Sequence, residues 1–117
     1  AIRCLGSLQP GGWPALMARN RRLAAAGRRM LLEALGIPAP CPKELLGSMA
    51  ALPLPDGNPD DLKPPLFMDP VQDALWYRHK IELPVMAWPA PPRRLCRISA
   101  QAYNTLDEYD RLAAALK

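Results

Sequence analysis

The sequence predicts an α+β fold: a small antiparallel or mixed sheet of about three strands, covered by helices and preceded by one long helix. Three observations predict it. A helical apolar repeat runs from about residue 14 to residue 35, three short strand-like runs follow, and a capped amphipathic helix closes the chain. At 117 residues, with half of them hydrophobic and 22% charged, the chain has the composition of one globular unit.

The long helix carries its own start and stop signals. Pro14 suits the first helical position, Gly36 suits the left-handed position after the last turn, and Pro38 blocks continuation. Gly27 in mid-helix costs about 1 kcal/mol relative to alanine, so we expect a neighbour to pack closely there. An apolar stripe is predicted to pack beneath the sheet and consists of Leu16, Leu23, Gly27, Met30, Leu31 and Ala34.

Five arginines crowd the same helix: Arg19, Arg21, Arg22, Arg28 and Arg29. They avoid the apolar stripe, which predicts a solvated face. The net charge of +4, with arginine supplying eleven of the fifteen basic residues, permits an anionic partner without requiring one. No aromatic residues interleave with these arginines, and no helix-turn-helix or zinc-finger spacing follows, so we expect no nucleic-acid partner.

The first two strands are predicted at Gly47–Leu54 and Ile81–Trp88. Alternation places three apolar residues on one face of the first strand: Ala50, Leu52 and Leu54. Because proline has no N–H to donate, Pro53 predicts that this strand lies at a sheet edge or ends there. Pro84 interrupts the second strand for the same reason.

A short helix is predicted between these strands. Asp69 suits the N-cap, Pro70 the first helical position, and the basic residues at 78–80 suit the negative end of the helix dipole. His79 is the only histidine, and no cysteine or second histidine is placed to act with it as a metal ligand or nucleophile. A surface histidine is therefore favoured over a catalytic one.

The three cysteines, Cys4, Cys41 and Cys96, are widely separated and include no C-x-x-C pair. Their odd number and spacing argue against a disulfide scaffold and against a zinc site, so no metal is expected. Reduced thiols in a cytoplasmic protein are the simplest interpretation. No apolar run approaches the ~20 residues that span a bilayer, so no membrane partner is expected.

The third strand carries the main candidate site residue. Alternation puts Leu95, Arg97 and Ser99 on one face and Cys96 and Ile98 on the other. A guanidinium has five donors in a rigid fork, which suits a carboxylate held by two parallel hydrogen bonds. The pattern alone favours a role without function, in which the arginine either pairs with a structural aspartate or is solvated at the surface.

The closing helix has a capping box, with Thr105 at the N-cap and Glu108 at the third helical position. Five residues at helical spacing are predicted to face the sheet: Leu106, Tyr109, Leu112, Ala113 and Leu116. These roles explain Asn104 and Thr105 structurally, and neither is assigned a catalytic role.

The segment RISAQAYNTLDEYDRL resembles the closing segment of class V aminotransferase-like, pyridoxal-phosphate-dependent enzymes. The pattern R-[IVA]-S-x-x-x-Y-N-T of that family is matched at Arg97, Ser99, Tyr103, Asn104 and Thr105. Three further segments match in order and spacing: GGWPALMARNRRLAAAGRRMLLEALG, GSMAALPLP and LWYRHKIELPVMAWP. Together they are most similar to the isopenicillin N epimerase-like branch.

This resemblance implies the C-terminal small domain of a fold-type I enzyme, in which Arg97 binds the substrate carboxylate. Pyridoxal phosphate would be held by the large domain through a lysine, and none of the lysines here, Lys43, Lys63, Lys80 and Lys117, lies in a matching context. No catalytic, cofactor-binding or metal-binding residue is therefore assigned. We expect a fragment of a longer enzyme that catalyses nothing alone.

The resemblance also implies a division of the chain. Residues 1–12 would be the tail of the preceding large domain, residues 13–36 the inter-domain helix, and residues 37–117 the small α+β domain. The implied partners are an amino-acid substrate, the enzyme's own large domain and a second subunit in a homodimer. The alternative is a stand-alone basic α+β interaction module without catalysis.

Overall fold

The computed structural model describes residues 2–7, 9–61 and 69–117. The main elements are α1 (Ile2–Ser7), α2 (Gly12–Leu35), β1 (Met49–Leu54), α3 (Pro70–Ala74), β2 (Val85–Ala87), β3 (Arg94–Ser99) and α4 (Leu106–Ala115). Short 3₁₀ turns span Lys43–Leu45 and Pro59–Asp61, and a π-helical turn at Leu75–His79 continues α3. The predicted α+β class, with a long helix before a three-stranded sheet, is confirmed.

The sheet is antiparallel, with the strand order β1-β3-β2, so β3 is central. Since β1 is an edge strand, Pro53 is tolerated as predicted. The second strand is shorter than predicted, Val85–Ala87 instead of Ile81–Trp88. Pro84 cannot donate to the ladder and precedes it, although its carbonyl still accepts a hydrogen bond from Arg97 N at 3.1 Å.

One face of the sheet forms the core together with α2 and α4. The burial pattern of β1 alternates as predicted, and Cys96 and Ile98 of β3 are buried beside it while Arg97 and Ser99 are exposed. The core cluster includes Leu31, Leu46, Ala50, Leu52, Leu54, Leu75, Leu83, Cys96, Ile98, Tyr109, Leu112 and Ala113. Removal of this apolar surface from water is the main stabilising contribution.

Helix α2 begins at Gly12, two residues earlier than predicted. Gly11 is the N-cap in the left-handed conformation, with φ 93°, so Pro14 occupies the third helical position. Proline is tolerated there because the first N–H groups of a helix have no intrahelical partner. The predicted end is confirmed, since Gly36 is left-handed with φ 66° and its N–H donates to the carbonyls of Glu33 and Leu32.

The prediction that all five arginines of α2 are solvated is wrong for two of them. Arg28 is only 4% exposed, and its guanidinium donates to the carbonyl of Cys41 and contacts Cys41 Sγ at 3.6 Å. Arg19 is half-buried against Gln101 and Asn104. The helical repeat separates apolar from charged residues, but it does not show where later segments of the chain cover the charged side.

Helix α4 was predicted to face the sheet, but it packs mainly against α2 and meets the sheet less extensively. Its predicted apolar face is otherwise correct, since Tyr109, Leu112 and Ala113 are buried and Leu116 packs against the core. Leu106, at the first helical position, is 42% exposed, so that part of the prediction is wrong. Periodicity identifies the apolar face of a helix but not the layer it meets or how far the contact extends.

Gly27 lies against the ring of Tyr109, which confirms the predicted close approach. A Cβ at this position would lie 2.7 Å from Tyr109 Cγ and 2.8 Å from Cδ1. The ring cannot retreat freely because Tyr109 Oη donates to Ser99 O at 2.6 Å. We expect Gly27→Ala to lower the free energy of unfolding by about 1–3 kcal/mol through overpacking, despite the gain of about 1 kcal/mol in helix propensity. Urea denaturation measures the change.

The matched control is Gly27→Ala in a Tyr109→Ala background. With the ring removed, only the helix propensity remains, and the same substitution should stabilise the protein by about 1 kcal/mol. Stabilisation by Gly27→Ala in the otherwise unchanged protein would contradict the steric explanation.

Cys96 is fully buried, and burial raises the pKa of its thiol to about 11, although a hydrogen bond from its own backbone acts in the opposite direction. The folded pKa exceeds the unfolded value of 9.0, so this contribution to stability is complete below pH 9 and is lost as the pH rises towards 11. We expect the unfolding free energy of the wild type to fall more steeply over that range than that of Cys96→Ala, by up to about 1.4 kcal/mol per pH unit. Parallel slopes in urea titrations of the two proteins would contradict this expectation.

Burial also raises the pKa of Tyr109, as does the negative charge of Glu108, while Arg19 lowers it. Ionisation of Tyr109 therefore also lowers the free energy of unfolding as the pH rises above 10. Because Tyr109 is present in both proteins of the comparison, the difference between them isolates Cys96.

Candidate functional site

A cavity of about 540 Å³ lies beside the end of β3, between residues 80–84 and α4. It forms where β2 no longer pairs with β3. Its charged and aromatic lining includes Lys80, Glu82, Arg97, Tyr103, Glu108 and Arg111. With three cationic and two acidic side chains, the lining suits a ligand that carries a negative charge together with other polar groups.

Arg97 is held at this cavity by the sheet. Its residue faces Ala51 across the β1–β3 ladder, and its N–H donates to Pro84 O on the other side at 3.1 Å. The side chain is exposed, and within the described part of the chain it makes no hydrogen bond or ion pair. A guanidinium on a fixed central strand, with its donors unused, is available to a carboxylate.

The structural ion pair that was the alternative for Arg97 belongs instead to Arg94 on the same strand. Arg94 Nη1 lies 2.8 and 3.0 Å from the two carboxylate oxygens of Asp69, and Arg94 Nε donates to Pro55 O at 2.7 Å. Asp69 is also the N-cap of α3, since it accepts a hydrogen bond from Val71 N at 2.8 Å. The two arginines of this strand thus differ in role: Arg94 is bonded within the fold, whereas Arg97 has no side-chain partner in the described part of the chain.

The turn after β3 is tied to α2 by side chains that the sequence did not indicate. Arg19 donates to Gln101 O at 3.0 Å and to Asn104 O at 2.9 Å. Asn20 is 5% exposed and donates to Gln101 Oε1 at 3.1 Å. The available signal was Asn20 itself, a polar residue among the buried positions of α2, because a buried amide must find a partner.

Lys80 lies on the cavity wall in an unusual backbone conformation. It ends the π-helical turn with φ 56°, the only positive φ among the described residues other than glycine. Its Nζ donates to Tyr77 O at 3.3 Å. A left-handed residue commonly ends a helical turn, so the end of this turn accounts for the conformation of Lys80.

The described residues do not fit a pyridoxal phosphate site. Lys80 is exposed and bonded to its own turn, Lys43 and Lys117 are exposed elsewhere, and Lys63 lies outside the described residues. The cavity lining contains no glycine-rich turn that could hold a phosphate. Within the described ranges, no cluster of His, Cys, Asp or Glu could hold a metal ion, and no helix is long and apolar enough to cross a membrane.

The described residues thus define a small α+β unit with a partly cationic cavity at the end of its central strand. In sequence, the chain is similar to isopenicillin N epimerase from Streptomyces clavuligerus, with 39% identity over 111 residues, which are 93% of this chain and 25% of that protein. It is also similar to isopenicillin N epimerase from Amycolatopsis lactamdurans, with 37% identity over 101 residues, 85% of this chain and 23% of that protein.

The chain therefore spans about a quarter of the length of the curated relatives it matches. No family model matches it. The predicted resemblance to the isopenicillin N epimerase-like branch is confirmed by these two relatives.

Proposed function

We propose that this chain is the C-terminal small domain of a pyridoxal-phosphate-dependent epimerase-like enzyme, and that Arg97 binds the α-carboxylate of an amino-acid substrate. The observation that carries the proposal is the Arg97 side chain, which extends from the central strand, lines the cavity and has no hydrogen-bond or ion-pair partner among the described residues. The similarity to two isopenicillin N epimerases supports the class of enzyme.

The contribution of Arg97 is orientation. A carboxylate gripped by two parallel hydrogen bonds loses its freedom to rotate, so the bond to be broken at Cα is held in one direction. Pyridoxal phosphate, when bound, supplies the electron sink for the charge left by that bond. We assign its binding to the part of the enzyme outside this chain, because the described residues here do not fit it.

The domain arrangement proposed with this function places residues 1–12 at the end of the large domain and residues 13–36 in the linking helix. Residues 37–117 would form the small domain. In its finer form, the proposal is that the complete enzyme is a cytoplasmic homodimer. It would epimerise an amino-acid centre such as that of isopenicillin N.

The alternative, a basic interaction module, receives less support from the structure. Arg28 is buried and Arg19 is bonded to the turn after β3. Arg29 pairs with Glu33 at 3.1 Å, and Arg21 donates to Glu44 O at 2.8 Å. The continuous cationic face that a nucleic acid would need is therefore interrupted.

The test uses the complete protein that contains this chain. After incubation with pyridoxal phosphate, we expect the visible absorbance of a lysine imine and a change in that absorbance when isopenicillin N is added. Absence of imine formation, combined with salt-dependent binding of nucleic acid, would replace the proposal with the interaction module.

A further inference from the structure

The residues that follow Arg97 form a turn built around an exposed tyrosine. The turn is closed by Asn104 N, which donates to Gln101 O at 3.0 Å, and Gln101 N donates in return to Asn104 Oδ1 at 2.9 Å. Tyr103 lies inside this turn with 78% of its surface exposed, and it lines the same cavity as Arg97.

One guanidinium from α2 holds both ends of the turn. Arg19 Nη1 donates to Gln101 O at 3.0 Å and Nη2 to Asn104 O at 2.9 Å, so the carbonyls that flank Ala102 and Tyr103 are fixed by a single rigid group. The Gln101 side chain accepts from Asn20 Nδ2 at 3.1 Å and from Ala102 N at 2.8 Å. The turn is therefore bonded to a long helix at three points.

Among the described residues, Tyr103 is the most exposed of the large hydrophobic side chains, although its turn is firmly held. Loop tips are ordinarily mobile and polar, and exposing a tyrosine forgoes the stabilisation that its burial would give. Here, buried and half-buried polar groups are committed to holding the turn, while the ring itself packs into no core cluster. An exposed ring adds little to the stability of the described unit, whereas a ligand in the cavity would contact it.

We propose that Tyr103 contacts the side chain of the substrate whose carboxylate lies on Arg97, and that Arg19 is the positioning residue that holds Tyr103 there. The inference rests on the proposed function and names a determinant of substrate choice within the same cavity. The contact is made by the apolar face of the ring, so its strength depends on the presence of a substrate side chain and little on the phenol hydroxyl.

The experiment compares two probes that share a carboxylate and differ in the side chain. Isopenicillin N carries a large side chain and glycine carries none, and the binding of each is followed by the cofactor absorbance of the complete holoenzyme. We expect Tyr103→Ala to weaken binding of isopenicillin N about tenfold and to leave glycine within about twofold. Tyr103→Phe should leave both probes within about twofold, because the ring is retained.

Arg19→Ala should reproduce the effect of Tyr103→Ala on isopenicillin N, with KM raised and kcat little changed. Combined with Tyr103→Ala, it should add no further loss, because both substitutions remove the same contact. Arg19→Lys, which can keep one of the two hydrogen bonds, should recover part of the affinity. If Arg19 and Tyr103 contributed only to protein stability, the losses of affinity in the double variant would add, and the binding of glycine would weaken as well.

Arg97→Ala separates this inference from the proposed function. Suppose that Arg97→Ala weakens the binding of both probes. If Tyr103→Ala then weakens the binding of neither probe, or of both equally, the role of Tyr103 is overturned and the carboxylate site stands. A holoenzyme that responds to glycine alone also overturns the role of Tyr103. If Arg97→Ala changes neither probe, or the wild type responds to neither, the proposed function falls and this inference falls with it.

Discussion

On the proposed function, replacing Arg97 with alanine in the complete protein is expected to raise the KM for an amino-acid substrate by about 30-fold to several thousand-fold. The range corresponds to a loss of about 2–5 kcal/mol, which applies when the bound substrate and the rest of the protein exclude water from the charge pair. If the pair stayed as exposed as Arg97 is in this chain, the loss would be about 1 kcal/mol or less. The cofactor absorbance should remain intact, because the described residues of this chain provide no cofactor site. Steady-state kinetics and the visible spectrum of the same preparation measure the two effects.

Two further variants sharpen this prediction. Arg97→Lys keeps the positive charge but loses the planar fork, so its KM should lie between those of the wild type and Arg97→Ala. Arg93→Ala removes an exposed arginine from the hairpin outside the cavity and should leave the kinetics unchanged. Unchanged amino-acid kinetics in Arg97→Ala would remove this residue from the site.

The largest effect on stability is expected from Asp69→Ala. The side chains of Arg94 and Asp69 are 15% and 7% exposed, so the substitution leaves a nearly buried guanidinium without its anionic partner. Breaking such a pair costs about 3–5 kcal/mol. The variant also loses the N-cap hydrogen bond to Val71 N, which contributes about 1 kcal/mol. Urea denaturation measures the total loss.

Asp69→Asn is the matched control, because asparagine keeps an N-cap acceptor and removes only the negative charge. We expect it to be less destabilising than Asp69→Ala by about 1 kcal/mol. In an Arg94→Met background no buried guanidinium is left without a partner. Asp69→Leu should therefore lower the free energy of unfolding much less there than in the wild type. A loss below about 1 kcal/mol for Asp69→Ala would show that solvent screens the pair.

Part of the candidate site could be predicted from the sequence. Alternation along the third strand predicted that Arg97 lies on one face and that Cys96 and Ile98 lie on the other. The burial pattern confirms these two faces. The resemblance pointed to Arg97 as the carboxylate ligand, and that role stays a prediction. Lys80 and Arg111 were missed as cavity residues, because no local pattern relates the end of a π-helical turn to the face of a distant helix.

The sequence by itself determined the local structure of this protein. Caps, glycines, prolines and apolar repeats act over about four residues, and they predicted the left-handed Gly36, the Asp69 N-cap and the closing capping box. They also predicted the two faces of the first and third strands. These features need no knowledge of what lies across the molecule.

Only the tertiary structure decided which charged groups are free. Arg19 bonds to carbonyls 82 and 85 residues away, and Arg94 meets Asp69 across 25 residues. Arg28, Arg94 and Arg97 are the same residue type, yet the first two are taken up by the fold and the third remains available at a cavity. The physical reason is that a guanidinium binds whichever acceptor folding brings within about 3 Å, and that proximity depends on how the layers pack.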